Sequence, residues 1–269
     1  MPNDRQAHAV AATLAAHRLE GWAPSQQHVE ALVALAAADV SYEDYLAAFR
    51  SRYPPPQPRR RRLRLRRATP YLIPGTTVLD NRFGATDPQV LADLESVATA
   101  GRMVRWLLGL RRPTRDDALD VRVIHHHLFS DVYAWAGIYR TTELRRGEHG
   151  FAWQSTIAAR MTHVHQSARE VVTACADHDQ ARLAYEFARI YADYNQIHPF
   201  REGNGRVGAL LLYTLAKSCG RRLDLTGTTR SQWYSAAADS MPFRRDGQAS
   251  HRPFLYLLGT ALDAEGPAH

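Results

Sequence analysis

A chain of 269 residues fits one large domain, or a medium domain with a small appendage, and an apolar content of 45% excludes compositional disorder. The longest apolar run, Val207 to Ala216, is too short to span a bilayer of roughly 30 Å. Cys175 and Cys219 have no metal-like spacing, and the N-terminus lacks a signal peptide's basic-then-apolar order, so no zinc site, disulfide framework or membrane is expected and the location reads as cytoplasmic.

Ahead of residue 54 the spacing predicts three short helices. Val10 and Leu14, among alanines, mark the first, which Gly21 ends. Ser25 caps the second, with Val29, Leu32, Val33 and Ala36 on one face. Ser41 and Asp44 open the third, which carries Tyr45, Leu46 and Phe49. A core of residues 1–53 is marginal by itself and is expected to dock on the remainder. Residues 54–70 follow as a Pro/Arg-rich linker. Prolines at 54, 55, 56 and 58 stiffen it, and Arg59 to Arg67 supply seven arginines, equal to the whole net charge of +7. That run reads either as a solvated linker or as a contact for nucleic acid or another acidic surface.

Residues 71–263 read as mainly helical. Helices are expected over Asp87 to Leu108 and Asp116 to Trp135. A long one follows through Leu183, Phe187, Ile190, Tyr191 and Tyr194 to about Gln196, then an apolar one from Arg206 to Ser218, stopped by Gly220. Thr141, Thr142 and Leu144, ahead of the turn-rich Gly147-Glu148-His149-Gly150, predict a short hairpin. The expected fold class is all-α with one small β-hairpin.

The chemistry concentrates in His198-Pro199-Phe200-Arg201-Glu202-Gly203-Asn204-Gly205-Arg206. This segment leads into the apolar helix, whose first N–H groups lack acceptors and whose dipole favours negative charge. Gly203 and Gly205 let the backbone curl into an anion nest around Asn204. Glu202 is a hard ligand suited to a Mg²⁺ that bridges phosphate oxygens, and Arg206 is a permanent cation. His198 can take a proton near neutral pH from a Ser, Thr or Tyr hydroxyl. Phe200 reads as the anchor beneath this phosphate-binding loop. His125, His126 and His127 are consecutive on a helix, so they diverge and make no metal site.

The same residues resemble the signature of the Fic family, whose members transfer AMP from ATP to protein hydroxyls. The resemblance runs from about Tyr71 to Leu262, through Tyr71-Leu72-Ile73-Pro74-Gly75-Thr76, Trp135-Ala136-Gly137, Arg140-Thr141 and Asn195. It implies a Fic domain over 71–263, with His198 as the catalytic base and Glu202 as the Mg²⁺ ligand. Phe200, Gly203, Asn204, Gly205 and Arg206 form the implied nucleotide- and phosphate-binding group. It also implies a flap with Thr142, Leu144, Phe151 and Ala152 that registers an extended target protein by strand addition. Arg18-Leu19-Glu20-Gly21-Trp22-Ala23-Pro24 resembles the core of the three-helix antitoxins that accompany some Fic toxins, which makes Glu20 the implied inhibitory residue and 1–53 an inhibitory module.

Two departures stand out. Ala209 occupies the place of the family's second motif arginine, and Ala16 that of a Ser or Thr four places before the glutamate. The leading expectation is a Mg²⁺-dependent protein adenylyltransferase restrained by its own N-terminal helices. The alternatives are a phosphotransferase binding ATP in the reverse sense, and a non-catalytic nucleotide- or nucleic-acid-binding module.

Overall fold

The structure is a computed structural model that describes residues 3–53, 70–110, 117–147 and 149–263. The expected linker over 54–69, with its arginine run, and the positions Asp116 and Glu148 lie outside the described residues.

Three helices open the chain: α1 (Asp4–Leu19), α2 (Gln26–Ala36) and α3 (Tyr42–Arg50). The cap signals at Ser25 and Ser41 were legible, and Asn3 caps α1. Asn3 accepts from the Gln6 N–H and Ser41 from the Asp44 N–H, while Ser25 opens α2. The three helices share a small core with α4. Val10, Leu14, Leu32, Tyr45 and Phe49 bury against Val97, Ala100 and Val104 of α4 (Pro88–Leu107), as the expected docking requires. Ala12, Ala15, Ala16 and Leu19 of α1 belong to the main core.

That main core is built around α7 (Gln180–Ile197) and α8 (Asn204–Ser218). Between α4 and α7 lie α5 (Val121–Phe129), a hairpin of β1 (Arg145–Arg146) and β2 (His149–Gly150), and α6 (Ile157–Ala174). The chain closes with α9 (Arg230–Asp239) and α10 (Arg252–Ala261), and α10 packs on α7. The expected helix over Asp116 to Trp135 is shorter at both ends. Asp120 caps α5 by accepting from the Arg122 N–H, and past Phe129 the chain turns, with the Val132 and Tyr133 N–H groups both donating to the Phe129 carbonyl. The hairpin is antiparallel, pairing Arg145 with Gly150 and Arg146 with His149, so its ladder is narrower than the expected flap segment. Among the described residues no helix is long and apolar enough to cross a membrane.

Candidate active site

The motif loop joins α7 to α8, and its shape is over-determined. His198 ends α7 in the left-handed conformation (φ 48°, ψ 62°), with its N–H donating to the Tyr194 carbonyl at 2.9 Å. A non-glycine residue there is uncommon and needs support. Arg140, almost wholly buried, supplies it. Its guanidinium donates to the carbonyls of His198 (2.9 Å), Ile197 (3.2 Å), Thr142 (2.7 Å) and Ala152 (2.6 Å), and its backbone N–H to Pro199 (2.8 Å). One arginine thereby ties the base of the hairpin to the motif loop.

The rest of the loop is fixed from beneath. Phe200 is fully buried and stacks on His125 at 4.0 Å between ring centroids. Its ring lies beneath the loop, and its backbone N–H and carbonyl face the Asn204 side chain. The Asn204 side chain is spent locally: Oδ1 accepts from the Phe200 N–H at 2.9 Å, and Nδ2 donates to the Phe200 carbonyl at 2.8 Å. The three consecutive histidines diverge as expected, yet His125 has a job at the site. It receives the Gly137 N–H at Nδ1 (2.8 Å), which leaves Nε2–H to hold the Glu202 carbonyl at 3.2 Å. Its ring is neutral, its pKa lowered to about 3, first by burial.

The two glycines have distinct duties. Gly203 caps α8 at φ 81°, and a Cβ there would run into the Phe129 ring. Gly205 lies in the first turn of α8, where a Cβ would stand 1.9 Å from a carboxylate oxygen of Glu20. The Glu20 carboxylate therefore lies over the N-terminus of α8, the place where exposed N–H groups and the helix dipole favour an anion. Burial raises the Glu20 pKa, while Arg206, Arg146 and Arg230 oppose that rise. Glu20 and Gly205 share a cleft with His198, Arg201, Arg146, Tyr234 and Asn195, whose volume with Glu20 in place is about 110 Å³.

Arg206 is ion-paired to two carboxylates, Glu95 and, at 3.6 Å, Glu202 of the motif loop. It lines the cavity on the far side of Glu20, together with Trp22, Glu95 and Tyr133, rather than the His198 cleft. Its guanidinium pairs with Glu95, a buried carboxylate that also receives the Tyr133 hydroxyl, and donates to Thr99 Oγ1 at 3.2 Å. Thr99 in turn lies 3.0 Å from Nε2 of His17, whose Nδ1 is 2.8 Å from the Thr13 carbonyl. A polar chain thus runs from the motif cation into α1. Ala16 and Ala209, the two departures from the family pattern, are both buried in the main core. At these two positions the chain makes small apolar contacts, and the His17–Thr99–Arg206 connection runs between α1 and α8. Glu95 was detectable in principle: it follows Leu91 by four places and precedes Ala98 by three, so it had to be a buried charge with a partner.

His198 is partly buried, and its ring stacks on Phe151 at 3.8 Å and 12°. Its pKa is lowered to about 3, first by burial and then by Arg146 and Arg140, so the ring stands neutral. The Glu202 carboxyl is raised, first by burial and then by the adjacent Glu95, with Glu20 adding to the effect. Excess negative charge there favours a bound cation. No group of three or more metal-ligating side chains occurs among the described residues, and a Mg²⁺ held jointly with phosphates needs no such group. Of the hairpin residues, Phe151 and Ala152 are buried, with the Ala152 N–H donating to the Gln196 carbonyl at 3.0 Å. Through these contacts they tie the segment after β2 to α7 and to the His198 ring.

These buried neutral rings make stability fall with acid. His17 is 1% and His125 0% exposed, each with a pKa of about 3 in the fold against 6.5 unfolded. Below pH 6.5 the unfolded chain takes up protons that the native state refuses, so their contribution is full above that value and is lost as pH falls. Two such groups predict a loss of about 2–3 kcal/mol between pH 7.5 and 5.5. Urea denaturation at the two values measures it, and equal stability would contradict the neutral, buried assignment.

Comparison with known proteins agrees with this geometry. Residues 116–216 match the model of the Fic/DOC family. The Sinorhizobium fredii protein named Probable protein adenylyltransferase y4lH is 31% identical over 156 residues, which cover 58% of this chain and 79% of that protein. Protein adenylyltransferase VbhT of Bartonella schoenbuchensis is 33% identical over 178 residues, 64% of this chain but 35% of VbhT. Among solved structures, the BepC effector of Bartonella tribocorum, crystallised with bound AMPPNP, has a TM-score of 0.62 at 22% identity, covering 73% of this chain and 97% of its own. The chain belongs to the Fic/DOC family and has the mainly helical Fic fold.

Proposed function

We propose that this chain is a protein adenylyltransferase, moving AMP from ATP to a hydroxyl of a target protein, and that residues 1–53 restrain the Fic domain of residues 71–263 through Glu20. The observation that carries this reading is the Glu20 carboxylate lying over Gly205, at the start of α8 and in the same cleft as His198. A carboxylate bound where a phosphate belongs is a competitor for ATP.

With Glu20 withdrawn, the backbone N–H groups of Asn204 and Gly205 at the start of α8 face the phosphates, while the Gly203 N–H donates to the Glu202 carboxylate at 2.9 Å. The target hydroxyl attacks the α-phosphorus, His198 takes its proton, the bond to the β-phosphate breaks, and pyrophosphate leaves. The Phe151 ring, stacked on His198 at 3.8 Å, holds the imidazole in place. Glu202 is the residue that would hold Mg²⁺. That ion, when bound, neutralises charge on the leaving pyrophosphate. The hairpin residues Thr142 to Leu144 and β1 form the edge along which an extended target segment would lie.

The experiment that tests this reading gives the Glu20→Gly protein α-³²P- or γ-³²P-labelled ATP with a bacterial lysate. Label passing to protein from the α position alone is the expected result. Transfer from the γ position alone would assign the reversed orientation, a reading favoured by the missing second arginine at Ala209. No transfer from either position would leave only a binding module.

A further inference from the structure

The inference below rests on the adenylyltransferase reading and concerns the source of positive charge in its cleft. A polyphosphate carries several negative charges, and of the motif's two arginines Arg201 lines the cleft while Arg206 acts on Glu20 from the cavity beside it. Arg206 is held by Glu95 and Thr99 and faces the cavity beyond Glu20. The place of a second motif cation is Ala209, 2% exposed in the core.

The cleft has two other arginines. Arg201 lines it, but its charge is not among those felt by either His198 or Glu20. Arg146, on β1, lines the same cleft and acts on both groups. Its guanidinium stands 5.3 Å from the centroid of Tyr234 and 5.7 Å from that of Phe151, the ring that stacks on His198. Aromatic faces on two sides orient a cation without neutralising it. Among the described residues no carboxylate lies within ion-pair distance of Arg146. Arg230, the remaining arginine near Glu20, also stands over Tyr234, 4.9 Å from its centroid. Its guanidinium packs over the turn at Gly21, about 3.0 Å from where a Cβ would stand, and it does not line the cleft.

We propose that Arg146, carried on the hairpin rather than in the motif, is a phosphate-binding residue that contacts the polyphosphate of ATP once Glu20 has left. The hairpin then has two tasks: its edge receives the target, and its β1 arginine grips the donor. A cation on the hairpin also couples ATP binding to hairpin position, because moving β1 moves the charge.

The test uses the full chain carrying Glu20→Gly and measures ATP and adenosine binding by calorimetry with Mg²⁺ present. Adding Arg146→Ala should weaken ATP by about tenfold or more, the range of a charge-assisted hydrogen bond, and change adenosine by less than about twofold. Arg146→Lys should recover part of the loss, since it restores charge without the planar fork. Equal weakening of ATP and adenosine, or unchanged ATP affinity, would overturn the assignment. A Glu20→Gly parent that binds no ATP would instead remove the nucleotide reading of the site, and this proposal with it.

Discussion

Replacing Glu20 by glycine is expected to raise AMP transfer by on the order of 10- to 100-fold, the usual range of coupling between mutually exclusive ligands. Glu20 lies at the α1 C-cap, where glycine is tolerated, so the substitution costs little stability. What it removes is a carboxylate placed over Gly205, in the position that favours an anion. Steric and electrostatic shares separate with a second variant. Glu20→Gln retains the bulk and loses the charge, so it should give an intermediate increase. A soluble Glu20→Gly protein that labels a responsive target no faster than the parent chain would end the autoinhibition model. Removal of residues 1–53 is a poorer test, because Val97, Ala100 and Val104 of α4 would lose the apolar cover that α1–α3 provide.

His198→Ala is expected to remove transfer, with a loss of about 10² to 10⁴ in rate for a missing general base. No other neutral imidazole lines the cleft among its described residues. The left-handed backbone at this position complicates the alanine variant, since alanine dislikes positive φ. His198→Asn serves as its partner, because asparagine tolerates that conformation and cannot act as a base near neutral pH. Both variants should retain ATP binding in a Glu20→Gly background. Near-normal turnover in a folded His198→Asn protein would take His198 out of the mechanism.

Much of the site was legible because its chemistry is local. The order of His198, Glu202, Gly203 and Gly205 depends on a helix end, a turn and a helix start, all of which follow from short-range backbone preferences. Caps and apolar spacing likewise placed α1 to α4, α7 and most of α8. Errors arose at boundaries set by competition between local bonds, as at Asp120, which starts α5 later than apolar spacing alone would. Glu20 was read from resemblance, and its position over Gly205 needed the packing of α1 on α8.

The partners of the charged groups lay beyond the sequence. The segment around residue 200 supplied the ingredients of an anion site, since a glycine-flanked helix start offers unpaired N–H groups in any context. Tertiary structure alone decided that Arg206 is held by Glu95 across a separation of 111 residues, and that Arg140 ties the hairpin to the motif loop. It also decided that His17 reaches the same network through Thr99. The physical reason is that a buried charge must be paired, and which partner it finds depends on the helices brought beside it rather than on its neighbours in the chain.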